Sequence, residues 1–149
     1  MAVITVGYTK IPICFSINLM SLRQINQNEA PRILIVDDEE MILEAYNEFL
    51  EGQHFQVTLT KSPQEAWKIL DESKFDLVIT DLDMPLLHGE ELIEIIRKNV
   101  INRAVPIVIA TGNSNKLHES QASRDPNLFL LKKPFTKEDL LGNIFALFK

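Results

Sequence analysis

Four places along this chain carry side chains that together could receive a phosphoryl group. Asp37 and Asp38 stand side by side after a short apolar run, and Asp81 and Asp83 flank Leu82 after another. Thr111-Gly112 follows a third run, and Lys132-Lys133-Pro134-Phe135 a fourth. Carboxylates from Asp37, Asp38 and Asp81 brought close would repel one another, so the site either raises a carboxyl pKa or holds a cation. Oxygen-only ligands favour a hard ion, and Mg²⁺ is commonly held by one or two carboxylates plus waters and phosphate oxygens. Asp37 and Asp38 would be ligands, and Asp81 would share the ion while pointing a free oxygen outward. A carboxylate can attack phosphorus and become an acyl phosphate. The transferring group carries spread negative charge and needs positioned donors and cations. Thr111 offers a hydroxyl, Lys133 an ammonium, and Gly112 open space beside the reacting group. Each feature alone has an ordinary reading: a solvated turn, a helix cap, an exposed acid, a loop before a helix. Their order, each at the end of an expected strand, is what points to chemistry.

The elements that must bring these residues together follow from periodicity. Arg32–Val36 is short, apolar and rich in β-branched residues, which predicts a strand buried on both faces. Similar runs predict strands at Phe55–Thr60, Phe75–Thr80, Val105–Ala110 and Asn127–Leu131. Helical spacing predicts helices at Glu39–Glu51, closed by Gly52, and from Ser62 with Pro63 in its first turn. Further helices are expected at Gly89–Asn99, Ser114–Ser123 and Thr136–Phe148, the last with Thr136 as N-cap and Leu141, Ile144, Phe145 and Phe148 on one face. Five strands alternating with five helices argue for right-handed βαβ crossovers, hence an α/β fold with a doubly wound five-stranded parallel sheet covered on both faces. Ligands of such sheets bind outside the carboxyl ends of the strands, where the candidate residues lie.

Composition bounds the alternatives. The 149 residues suffice for one domain with a core, and the net charge of −6 offers no general attraction to nucleic acid or anionic membranes. The single cysteine, Cys14, excludes an internal disulfide framework and suits a reducing, cytoplasmic compartment. One cysteine and three scattered histidines, His54, His88 and His118, do not make a zinc site. Residues 1–30 are expected to be a flexible arm, and residues 31–149 the folded domain. The apolar stretch Met1–Leu22 is interrupted by Lys10, Pro12, Ser16 and Asn18, which argues against stable membrane insertion. Met20 is an alternative start, and a membrane-touching arm a third reading.

The chain from about Arg32 to Lys149 resembles the receiver domain of two-component response regulators. The resemblance lies in Asp37-Asp38, in Asp81-Leu-Asp-Met-Pro-Leu-Leu-His-Gly89, in Ala110-Thr111-Gly112 and in Lys133-Pro134-Phe135. It implies a (βα)5 flavodoxin-like three-layer sandwich. It further implies Asp81 as phosphoacceptor, Asp38 as direct Mg²⁺ ligand, Asp37 as a ligand through water, and the backbone carbonyl of Asp83 as the third protein ligand. Thr111 resembles the switch hydroxyl and Lys133 the phosphate-contacting lysine, with Lys133-Pro134 in the cis form. The implied donor is a phosphohistidine on a sensor histidine kinase or a histidine phosphotransfer protein. The implied output is a phosphorylation-driven shift of a face read by a downstream protein, with no separate substrate turned over. As the sequence stops at Lys149, a stand-alone receiver acting by protein contact is expected, with a fragment of a longer protein the alternative.

Departures and rivals complete the reading. Family members usually carry an aromatic three residues before the lysine; Leu130 stands there, and Phe129 should face the other side of the strand. Ser123-Arg124-Asp125-Pro126 replaces the usual Gly-Ala before the fifth strand. Asp83 and Asn113 occupy positions that tune phosphoryl lifetime. Asp81-Leu82-Asp83 also resembles the Asp-x-Asp of haloacid-dehalogenase-type phosphatases, but there the acidic pair comes late, and no room for a substrate cap exists here. A receiver-like module that is never phosphorylated is the other rival. Trp67 is expected in the core or partly buried. Leu140 and Leu147 exceed what one helical face needs and are expected to extend a partner-binding patch.

Overall fold

The computed structural model describes residues 29–85, 89–112 and 124–149. Most of the arm, with Cys14 and Met20, lies outside the described residues, as do His88, Asn113, His118 and the helix expected at Ser114–Ser123. The described elements are β1 (Arg32–Val36), α1 (Glu40–Leu50), β2 (Gln56–Thr60), α2 (Pro63–Glu72) and β3 (Leu77–Thr80). They continue with α3 (Gly89–Lys98), β4 (Ile107–Thr111), β5 (Leu128–Lys132) and α4 (Lys137–Leu147). The five strands form one sheet in the order β2-β1-β3-β4-β5, every pair parallel. The doubly wound α/β architecture expected from the alternation is therefore present.

Alternation along each buried strand builds two cores. Leu34, Val36, Val78, Ile107 and Ile109 face Ala66 and Leu70 of α2 and Leu92 and Ile96 of α3. Ile33, Ile35, Leu77, Ile79, Val108 and Ala110 face Leu43, Tyr46 and Leu50 of α1 and Leu140 and Ile144 of α4. This is the three-layer sandwich: helices on both sides of strands whose side chains are apolar on both faces.

Local chemistry explains the helix ends. Ser62 caps α2 by accepting from Glu65 N, with Pro63 at the first helical position. Gly52, just past α1, takes φ +74°, the left-handed conformation that ends helices most easily in glycine. Thr136 and Asp139 form a reciprocal capping box at α4.

Two expectations need correction. Leu140 is fully buried rather than part of an exposed patch, and Phe145, assigned to the inner face, is 46% exposed. In a helix apolar around most of its circumference, spacing alone leaves the inner face open, and packing in the α1-side core turned Leu140 inward. Trp67 is half exposed, the partly buried of the two placements expected for it. Strands β2 to β5 begin one or two residues later than expected, because ladder pairing and not apolarity defines their ends. Thr111 and Lys132 are thus paired strand residues, in register with each other.

Asn102 is a polar anchor that apolar periodicity could not reveal. Its buried amide donates to Leu70 O at 2.7 Å and Ser73 O at 2.8 Å, and its Oδ1 accepts from Phe75 N at 2.9 Å. One side chain thereby ties the end of α2 and the approach to β3 to the loop before β4. Asn102→Ala, which leaves these buried groups without that partner, is expected to lower unfolding stability by about 3 kcal/mol. Urea denaturation measures this, and a loss below about 1 kcal/mol would remove the anchor role.

Candidate functional site

The strand ends converge because the sheet's own hydrogen-bond ladder places them. Asp37 N donates to Thr60 O at 3.2 Å, and Asp81 N donates to Val36 O at 3.1 Å. Lys133 N donates to Thr111 O at 2.9 Å. Each chemically important residue thus hangs from the last rung between its strand and a neighbour.

Two aspartates use their oxygens in the same way. Asp37 Oδ1 accepts from Glu39 N at 3.0 Å. Asp81 Oδ1 accepts from Leu82 N at 2.7 Å and from Asp83 N at 3.3 Å. The other oxygen of each meets the lysine: Lys133 Nζ lies 2.7 Å from Asp37 Oδ2 and 3.4 Å from Asp81 Oδ2. Asp37 and Asp81 are buried, and Asp38 is half-buried. Carboxylate oxygens of Asp37, Asp38 and Asp81 all lie within 4.8 Å of one another.

Charge and burial oppose each other here. Burial pushes the Asp37 carboxyl above its usual pKa, against the hydrogen bond from Lys133 and the N–H of Glu39. Burial would also discharge Lys133, but the hydrogen bond and charge of Asp37, with the charge of Asp81, outweigh it and raise the lysine pKa. Three acids share one ammonium, so a further cation would be stabilised there. The donor set is all oxygen and compact, which fits a hard divalent ion such as Mg²⁺ and not a thiophilic one.

The remaining expected residues are accounted for. Thr111 is fully buried at the end of β4, next in the sheet to β3, which leads to Asp81. A Cβ added at Gly112 would meet no atom of the described residues within 4 Å. Asp83 is exposed; its main-chain N–H binds Asp81, and its side chain is not among the clustered acids. Lys133-Pro134 is cis, as the resemblance implied. Leu130 is 42% exposed, whereas Phe129 packs with the core on the α1 and α4 side, so the two do face opposite ways. Tyr46 lies in the helix expected at Glu39–Glu51, with no role assigned to it from the sequence. It is buried, and burial, then the charges of Asp37 and Asp81, push its phenol pKa up. Its polar oxygen on an otherwise apolar face was the signal available.

Comparison with known proteins agrees with this geometry. The chain is 32% identical over 117 residues to the uncharacterized transcriptional regulatory protein YrkP of Bacillus subtilis, covering 78% of this chain and 49% of that protein. It is 29% identical over 116 residues to the 3',5'-cyclic-nucleotide phosphodiesterase regA of Dictyostelium discoideum, covering 76% of this chain and 15% of that one. The chain thus spans half or less of these two relatives. In fold it matches the chemotaxis response regulator CheY4 of Vibrio cholerae with a TM-score of 0.71 at 24% identity, over 78% of this chain and 98% of that one. The receiver domain of the sensor histidine kinase PA1611 of Pseudomonas aeruginosa, whose structure has a magnesium ion coordinated in its active-site cleft, matches with a TM-score of 0.69 at 24% identity. That match covers 79% of this chain and 97% of that one. The family model of the response regulator receiver domain matches residues 33–145, running through all five strands and the acid-lysine cleft at their ends. The chain belongs to that family, the phosphoacceptor domains of two-component signalling.

Proposed function

We propose that Asp81 accepts a phosphoryl group from a phosphohistidine, in an Mg²⁺-dependent transfer assisted by Lys133 and Thr111. The observation that carries this is the division of labour on the Asp81 carboxylate. One oxygen is held by two main-chain N–H groups, and the other faces the only cation described in the cleft. The carboxylate is thus oriented before any donor arrives, which lowers the cost of reaching the transition state.

In the step, Asp81 Oδ2 forms a bond to phosphorus while the phosphorus–nitrogen bond to the donor imidazole breaks. The electron pair of that bond leaves with the imidazole nitrogen, and with the ring's other nitrogen protonated the donor departs as neutral imidazole. The product on this chain is an acyl phosphate. Asp37, Asp38 and Asp81, with the main-chain carbonyl of Asp83, would hold Mg²⁺. The ion supplies positive charge that screens the acids from one another and from the phosphoryl oxygens. Lys133 moves its ammonium from carboxylate to phosphoryl oxygen as charge develops there, and Thr111 donates its hydroxyl to a second oxygen.

The donor is a sensor histidine kinase or a histidine phosphotransfer protein, the output is contact with a downstream protein, and the setting is cytoplasmic. Among the described residues no helix is long and apolar enough to cross a membrane.

Two measurements test this reading. With Mg²⁺ and acetyl phosphate, intact mass should show one phosphoryl group gained by the wild type and none by Asp81→Asn, and chelating Mg²⁺ should abolish the gain. A gain by Asp81→Asn would mean another acceptor, and failure of the wild type to gain phosphate or bind beryllofluoride would sink the proposal. Lys133→Ala should phosphorylate about a hundredfold more slowly, the usual cost of losing one charge-stabilising donor. Its Mg²⁺ affinity by calorimetry should be equal or tighter, since the ammonium no longer occupies Asp37. Weaker Mg²⁺ binding would contradict the arrangement.

A further inference from the structure

Lys133 reaches its two carboxylates from the end of a strand that touches neither of theirs. Asp37 follows β1 and Asp81 follows β3, while β4 separates β3 from β5. A lysine stem is flexible, with many rotamers to lose, so its backbone anchor decides where the ammonium is found. The main-chain bond to Thr111 O is one anchor. The second lies two residues on. The Phe135 ring packs on Tyr46 with centroids 5.3 Å apart and tilted by 37°. It also meets Phe49 edge-on at 6.4 Å and 70°.

Both partner rings belong to α1, the helix that begins three residues after Asp37. Tyr46 is only 1% exposed, and the charges of Asp37 and Asp81 act on its phenol. The helix that leads away from Asp37-Asp38 therefore also grips the loop that delivers the lysine. Aromatic pairs at such separations and tilts attract beyond simple burial.

We propose that Tyr46 and Phe49, acting through Phe135, are positioning residues for Lys133: the ring packing fixes the backbone from which the ammonium spans Asp37 and Asp81. This rests on the reading of Asp81 as phosphoacceptor. It differs from a purely space-filling role in what it requires of the lysine. A positioned group that has been deleted can no longer be mispositioned, whereas a loosened core harms every version of the site.

A double-mutant cycle separates the two. The rate of phosphorylation by acetyl phosphate and the Mg²⁺ affinity by calorimetry would be measured for the full chain as wild type, Phe135→Leu, Lys133→Ala and the double variant. Phe135→Leu keeps the site apolar and removes the ring. It should slow phosphorylation about tenfold, a modest fraction of what misplacing a catalytic group can cost. Mg²⁺ affinity should be unchanged or tighter, because Asp37, Asp38 and Asp81 are untouched. In the Lys133→Ala background the same substitution should change the rate by less than about twofold, the non-additivity of residues acting through one group.

Equal slowing in both backgrounds, no slowing in either, or Mg²⁺ binding weakened in step with the rate would overturn the proposal and leave Phe135 as core packing. If Phe135→Leu fails to unfold cooperatively, Tyr46→Leu carries the same cycle from the helix side, with the same outcomes. A wild type that takes no phosphoryl group overturns the acceptor reading and this one with it. A wild type that does, with an additive cycle, overturns this one alone.

Discussion

The Lys133 ammonium, 2.7 Å from Asp37 and 3.4 Å from Asp81, is the contact on which the rest of this structure turns. Three carboxylates within 4.8 Å of one another, two of them buried, would repel strongly in surroundings less polarisable than water. The fold supplies the opposing charge from across the sheet. To arrive, the lysine must pass the end of β4. That strand ends at Thr111, a small hydroxyl residue, and Gly112, with no side chain, follows it; no described atom would crowd a Cβ there. The order β1-β3-β4-β5 thus makes a site in which acids and cation approach from opposite sides and meet at its centre.

Such a site depends on a parallel sheet for a geometric reason. In a parallel sheet all strands end on the same side, so one edge of the sheet collects every carboxyl-terminal residue. The ladder then supplies the accuracy. Asp37, Asp81 and Lys133 each donate a main-chain N–H to the neighbouring strand's last carbonyls. Their Cα positions are therefore held by the same bonds that hold the sheet. Those bonds are held in turn by two apolar cores, one on each face. The long apolar runs that look functionally silent are what keep the acids in place against their repulsion.

This is also why so much was legible in the sequence. Strand identity, the parallel sense of the sheet and the candidate cleft residues follow from features that are local: short β-branched runs, turn residues, and polar side chains just past each run. What was not legible depends on partners distant in sequence. Leu140 and Phe145 exchange faces relative to expectation because α4 is apolar nearly all round, and its phase is set by contacts with β1, β3 and β4. Asn102 is one polar residue in a loop; its three bonds are made 27 to 32 residues away in sequence. Tyr46 shows the helical spacing that placed it inward, and nothing in that spacing shows that its ring meets Phe135 almost ninety positions on.

The same arrangement bears on how the site communicates with the surface. Only Pro134 and Phe135 separate Lys133 from Thr136, the N-cap of α4. Thr136 and Asp139 bind each other reciprocally, and the main-chain and side-chain bonds from Thr136 hold the Asp139 carboxyl below its usual pKa. A carboxyl with a depressed folded-state pKa contributes stability above its unfolded value and loses it only as the pH falls through the folded one, so this cap is intact at neutral pH. Downstream of the lysine the chain is therefore stiff from the ring packing of Phe135 to the first turn of the helix. Any exchange of the ammonium's partner, from carboxylate to phosphoryl oxygen, pulls on a backbone with little slack. The displacement must be taken up by the rings, by the cap, or by the half-exposed outer face of α4 that carries Phe145. If Asp81 takes a phosphoryl group as proposed, a short link between charge and helix, with the slack removed at both ends, would let that change of partner at one atom alter a surface some distance away.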